Sequence, residues 1–387
     1  MPMDAADEAL SLPTFADNKQ VEKTESGVAA APHTRVVARA VVEPLYALCT
    51  FAAVVTVGDP IMVAMLHTAF AAAAATGAVG SRLAPDVHRV ARVTCGDDAT
   101  FVAQVTLAGA MHLFMATQVL AAPSFGLEAV LVVSSLVAAC NQFMAVGRAT
   151  QASDTPGATA DATQTKRAAT TLVLASVGAL LCAIATGGNL RRGPSLFPLT
   201  QFDGGTACVL LFFSFLACSE LRLMETKRNG RIAELEARRK EALMAAAEIP
   251  AAEAPQPPPP PPVAFDAFSK AVYGNAFGFM VIMALAAAFR MSQPYEQAVL
   301  SGQAGAYLLL SCVAAAINAV VVAASEHAHE DAEGERKPVF VATVTRALTI
   351  VVSWHVAAQR PSAAAAAGVA LCLAALALAA RHARKTY

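Results

Sequence analysis

Residues 361–380 read PSAAAAAGVALCLAALALAA, twenty positions in a row without a charge. At 1.5 Å per residue, a helix of that length covers about 30 Å, the thickness of a bilayer's hydrocarbon. Arg360 precedes the run, and Arg381, Arg384 and Lys385 follow it, so charge is confined to its ends. Working outward, the same pattern recurs along the chain. Apolar runs between breakers predict ten spans, at about 41–57, 61–80, 101–122, 125–147, 168–187, 205–223, 266–290, 297–324, 339–358 and 361–380. The first is the shortest; it opens on Glu43-Pro44 and turns into the second through Gly58-Asp59-Pro60.

Composition agrees. Of 387 residues, 56% are apolar and 15% charged, with a mean hydropathy of +0.51. Soluble domains carry about 45–50% and about 25%. The expected class is an all-α integral membrane protein in contact with a lipid bilayer. A net charge of −1 leaves no basic footprint for nucleic acid. The eight cysteines form no CxxC pair, and all but Cys95 sit inside apolar blocks, so they read as small core residues. Asp4, Asp7, Glu8, Asp17, Glu22 and Glu25 crowd the N-terminus with no early apolar segment, which argues against a signal or transit peptide.

Charge orients the spans. If the termini and the loops after even spans share one side, that side holds 22 of the Lys and Arg residues. The other holds only Arg191, Arg192, Arg290 and Arg360, while Lys270 and Arg346 fall within spans. Positive charge gathers on the cytosolic side, so both termini are expected there. The layout is then a disordered cytosolic N-terminus over 1–40, spans 1–5 over 41–187, spans 6–10 over 205–380, and a basic tail over 381–387. Between spans 6 and 7, residues 225–263 interrupt with a charged, solvated helix and the polyproline spacer Pro257–Pro262. Residues 148–167 read as a flexible polar loop.

Polar side chains inside the spans are the candidates for function, because hydrocarbon penalises them. Arg346 lies about 12 Å into span 9, where an arginine costs about 2.5–3.5 kcal/mol. Thr343, Arg346, Thr349 and Ser353 follow a helical spacing and form one stripe. That stripe suits a buried cation lining an anion site; the structural alternative is an ion pair with Glu128 or Glu220. Weaker stripes are Gln303, Tyr307, Ser311 and Asn318 on span 8, and Glu128, Ser135 and Gln142 on span 4. Span 7 carries Lys270, Tyr273 and Asn275 among Gly274 and Gly278. Any single stripe is also what interhelical hydrogen bonding produces. His67, His112 and His355 read as hydrogen-bonded core residues, and Glu326–Asp331 as a solvated loop and not a metal site. No HExxH, P-loop or GxSxG occurs, so no enzyme and no cofactor are expected.

The stretch 337–385, KPVFVATVTRALTIVVSWHVAAQRPSAAAAAGVALCLAALALAARHARK, brings in a family. A Thr-x-Thr-Arg enters a helix, a turn follows at Arg360-Pro361, a second helix carries Gly368, and a basic tail closes. This resembles the last two helices of nucleotide-sugar and triose-phosphate transporters in the drug/metabolite transporter superfamily. Val272-Tyr273-Gly274-Asn275 sits where GDP-mannose transporters carry Phe-Tyr-Asn-Asn, and Arg346 where they carry the lysine of Gly-Ala-Leu-Asn-Lys. The resemblance implies two inverted five-helix repeats in a Golgi or ER membrane. It implies an antiporter that exchanges a nucleotide-sugar for a nucleoside monophosphate by alternating access. It further implies a substrate site of Lys270, Tyr273, Asn275, Tyr307, Thr343 and Arg346, with the cations on phosphate and Tyr273 and Asn275 on base or ribose. A triose-phosphate-like translocator of the same fold and a non-transporting membrane subunit stay open as alternatives, as does a homodimer.

Overall fold

The computed structural model describes residues 32–81, 97–122, 126–152, 162–185, 204–247, 266–290, 302–331, 338–356 and 361–383. Among these the chain forms ten α-helices and no strand. They are α1 (Pro32–Val57), α2 (Pro60–Gly80), α3 (Asp97–Ala121), α4 (Leu127–Ala152), α5 (Ala162–Ala185), α6 (Gly204–Ala247), α7 (Ala267–Arg290), α8 (Gly302–Asp331), α9 (Pro338–Val356) and α10 (Ala363–Ala383). Nine of them, all but α9, are long and apolar enough over the described residues to cross a membrane. This is a multi-pass, all-helical membrane protein.

Four boundaries differ from the expectation. Helix α1 starts at Pro32, so residues 32–40 are helical rather than part of a disordered terminus; Pro44 is carried inside the helix. The loop expected over 148–167 shrinks, because α4 runs on to Ala152 and α5 begins at Ala162. Glu326–Asp331 belongs to the last turns of α8 and not to a loop. Span 6 and the charged helix are one element: α6 has 44 residues, about 66 Å at 1.5 Å each. It leaves the hydrocarbon without a break because nothing from Glu225 to Ala247 stops a helix, Gly230 excepted. An i,i+4 pair, Glu234–Arg238 at 2.6 Å, supports the polar part. Its base is held where Arg228 lies 5.1 Å over the Phe101 ring of α3 and Glu225 pairs with Lys270 of α7. The proline run lies outside the described residues.

The α1–α2 turn follows its sequence signals. Gly58 takes φ +69, a left-handed conformation that favours glycine, and donates its N–H to Val54 O at 3.0 Å. Asp59 caps α2 by accepting from Met62 N at 3.0 Å, and Pro60 takes the first helical position, where no donor is needed.

Helices α1, α3, α6, α4 and α9 each touch the next and close a ring. Helices α2, α7 and α8 pack outside α1 and α3, and α5 with α10 packs outside α4. One polar link ties α1, α2 and α8. His67 is 1% exposed; its Nε2 lies 3.0 Å from Ser311 Oγ and its Nδ1 3.3 Å from Tyr46 Oη. Ser311 donates its one proton to Leu308 O at 2.7 Å, so Nε2–H is the donor to Ser311 and Nδ1 accepts from Tyr46. His67→Leu strands the Tyr46 hydroxyl. A loss of about 1–3 kcal/mol is expected, read as lower thermal stability in detergent.

The α5–α10 crossing is closer than side chains allow. A Cβ on Gly178 would lie 2.9 Å from Gly368 O and 2.7 Å from Cys372 Sγ; one on Gly368 would lie 2.8 Å from Gly178 O and 2.7 Å from Cys182 Sγ. Each helix therefore presents a glycine and, one turn on, a cysteine, the small-xxx-small spacing that lets helices associate in lipid.

Candidate functional site

The ring brings charge together at one end of the bundle, the end where α1, α3, α7 and α9 begin. The α1 residues Arg39, Glu43, Tyr46 and Thr50 are spaced by 4, 3 and 4, which is one helix face. Glu43 accepts from Arg39 Nε at 2.5 Å, and Arg39 also donates to Ser325 Oγ of α8 at 3.3 Å. Helix α9 docks beside this face, where Thr345 Oγ1 donates to Ala40 O at 3.4 Å. The next residue is Arg346, partly buried between the helices. Arg222 of α6 lies toward the same end and is exposed. The His112 ring of α3 packs edge-on to Phe215 of α6, with centroids 4.0 Å apart. His112 Nδ1 is buried with no hydrogen-bond partner among the described residues. This end of the bundle thus carries Arg39, Arg222 and Arg346, with Arg39 paired to Glu43.

Toward the opposite end Val54 of α1, Leu120 of α3, Leu131 of α4 and Ile350 of α9 are buried in an apolar cluster that also takes in Val63 of α2, Cys312 of α8 and Cys372 of α10. Beyond them Trp354 Nε1 donates to Glu128 Oε1, joining α9 to α4. At the basic end α4 and α6 are tied by Arg148–Glu220 at 2.5 Å and by Ser219 donating to Asn141 Oδ1 at 3.0 Å. Both carboxylates considered as partners for Arg346 are thus committed elsewhere: Glu128 to Trp354 and Glu220 to Arg148. Glu43 pairs with Arg39, and among the described residues no carboxylate forms an ion pair with Arg346.

The residues expected to form a substrate site are not brought together. Arg346 is on the ring, and Thr343 is on the same helix, where its side chain lies outside the described residues. Thr349 and Ser353 are buried but donate to their own helix, at 2.8 and 2.7 Å. Lys270, Tyr273 and Asn275 are on α7, which packs on α2, α3 and α8 outside the ring. Lys270 pairs with Glu225, Tyr273 stacks on Phe277 at 6.1 Å, and Asn275 donates to Ala271 O of its own helix. A Cβ on Gly278 would meet Thr68 and Ala110 at ordinary contact distances, 3.7 and 3.9 Å, and one on Gly274 would meet nothing within 4 Å, so neither glycine is required by close packing. Tyr307 is 43% exposed on the outer face of α8 with Leu310, Val313 and Ile317. The span 8 stripe divides there, Gln303 and Tyr307 facing out and Ser311 facing His67. On α4 the stripe holds: Glu128 meets Trp354, Ser135 is buried, and Gln142 Oε1 is buried with no hydrogen-bond partner among the described residues.

Arg39, Glu43 and Arg222 were not among the expected site residues. The signal for the α1 pair was its 4, 3, 4 spacing, hidden by starting the span at residue 41. Arg222 resembled an ordinary charge flanking a span. Compared with known proteins, the chain matches no family model and no curated protein.

Proposed function

We propose that the protein is a membrane carrier that exchanges phosphorylated small molecules, a nucleotide-sugar against a nucleoside monophosphate in the reading the sequence resemblance favours. The observation that carries this is Arg346, half-buried on α9 where that helix docks on α1 beside the Arg39–Glu43 pair. A guanidinium is permanently charged, and its planar fork matches phosphate oxygens. Enclosure by helices raises the strength of such contacts over their value in water.

The pairing of helices supports two inverted repeats. Adding five to each helix number turns α1–α8 into α6–α3, α2–α8 into α7–α3, α1–α9 into α6–α4 and α4–α5 into α9–α10, and all of these pairs touch. The pairs α2–α7 and α5–α10 map onto themselves, and the Gly178–Gly368 crossing sits at such a pair. Repeats of this kind supply two access states by rocking around a fixed site.

A smaller phosphorylated metabolite is the second reading. It is favoured by the placement of Tyr273 and Asn275, the pair assigned to base or ribose, outside the ring. Proteoliposomes loaded with nucleoside monophosphate and offered labelled nucleotide-sugars or sugar phosphates separate the two. Uptake that requires internal phosphate ester supports exchange; no uptake of either class under any loading overturns it.

In this reading the basic end is cytosolic, in the Golgi or ER membrane. Tags at residue 5, at residue 255 and at the C-terminus are expected to be accessible from the cytosol, and a tag at Pro194 to be lumenal. Protection of residue 255 with accessible termini would end the ten-span arrangement.

A further inference from the structure

We infer that the hydrogen bond from Trp354 to Glu128 is a latch: it holds α4 and α9 together at the end where α4 begins, and its release lets the two helices part there. This rests on the carrier reading above, in which each end of the bundle opens in turn. Glu128 stands in the first turn of α4 and Trp354 in the last turn of α9, so Trp354 Nε1 donating to Glu128 Oε1 joins the helices at one edge of the bundle. Leu127 and Leu131 of α4 and Ile350 of α9, one turn before Trp354, are buried beside it, and Trp354 packs against the same cluster. At the basic end α4 is tied to α6 instead, through Arg148–Glu220 and Ser219–Asn141. The α4–α9 pair maps onto itself when five is added to each helix number, so the inverted counterpart of this bond would fall at the basic end. A bond at one end of a self-mapped pair is what tells two rocking states apart.

The bond is built to break without stranding a charge. Both partners are half-buried, so water takes over their polar atoms when they part. The carboxylate also keeps a second seat. A Cβ on Gly126 would lie 2.6 Å from Glu128 Oε2, so that oxygen turns back over the start of its own helix. There the free backbone N–H groups and the helix dipole favour a negative charge. Gly126 leaves the room for it. An indole at a membrane edge is likewise stable with its N–H in water. Trp354 is the one tryptophan of the chain, so the latch carries its own fluorescent reporter.

The test uses the purified full-length chain in detergent and has two readouts. One is iodide quenching of Trp354 fluorescence; the other is the rate at which a charged maleimide labels Ile350→Cys, with the labelled residue located by peptide mass. Gly126→Ala adds a methyl that must push the carboxylate aside, and the atom displaced is the tip of a flexible side chain, so the fold should tolerate it. Gly126→Ala and Glu128→Leu are each expected to raise the labelling rate about tenfold, the effect of losing one hydrogen bond to a charged acceptor, and to raise quenching with it. Glu128→Gln keeps an acceptor oxygen and should fall between these and wild type. Should Glu128→Leu fail to fold, Gly126→Ala decides the matter, because it removes no polar group. Labelling and quenching unchanged from wild type in the folded variants overturn the latch, even if the unfolding temperature drops, and leave the carrier reading to its own uptake test. If both readouts rise but neither wild type nor any variant exchanges a phosphate ester in proteoliposomes, the latch stands as the contact that shuts this end and the carrier reading falls.

Discussion

Arg346→Ala is expected to abolish exchange while leaving the protein folded. Losing a charged hydrogen-bonding partner costs about 1.5–3 kcal/mol, so cargo affinity should fall about 10- to 100-fold. Transport should drop at least as far, because the empty site also loses the cation that the cargo neutralises. Stability should change little: Glu43 still has Arg39 at 2.5 Å, so the substitution strands no carboxylate. Arg346→Lys keeps the charge without the fork and should retain partial activity. Exchange rate in proteoliposomes, read beside the unfolding temperature, checks both halves. Normal exchange in the alanine variant removes Arg346 from the site. A collapse of stability reassigns it as a structural cation.

The largest structural effect is expected at the α5–α10 crossing. Gly178→Leu places a branched side chain where a single Cβ already falls 2.9 Å from a backbone oxygen and 3.1 Å from a backbone nitrogen. A backbone atom cannot turn aside as a rotamer can, so the helices must separate. Overpacking of this kind costs about 1–3 kcal/mol for an added methyl, as in Gly178→Ala, and more for leucine. Cys372→Ala should not rescue Gly178→Ala, because it clears only the 2.7 Å contact to Sγ and leaves the one to Gly368 O. The check is the fraction of monodisperse protein after detergent extraction and its unfolding temperature. Gly178→Leu behaving as wild type would mean that the two helices are not packed at this glycine pair.

The helices themselves were legible in the chain because hydrocarbon imposes one rule on every span. Backbone polar groups must be satisfied within the segment, and about twenty apolar residues must cover the core. The same rule made Arg346 visible, since a charge inside such a run needs a reason. It also exposed Gly58-Asp59-Pro60, whose residues each have a local duty in the turn. Sequence spacing read α4 correctly too, where steps of seven keep Glu128, Ser135 and Gln142 on one face.

Which faces meet was decided only by the tertiary structure. Lipid tails are as apolar as a protein core, so a lipid-facing leucine and a buried one look alike in sequence. Leu308 is 7% exposed and its neighbour Leu309 60%, with nothing in the letters to separate them. Tyr307 was expected in the site and is 43% exposed for that reason: spacing places a residue on a helix face without saying what the face meets. Helix α7, with Tyr273 and Asn275, packs on α2, α3 and α8. Helix α9 meets α1, about 300 residues away in the chain, through Thr345 and Ala40. Local sequence determines that there are ten helices and where charge interrupts them. The close approach of small residues, and the few polar bonds that survive without water, determine which charges converge.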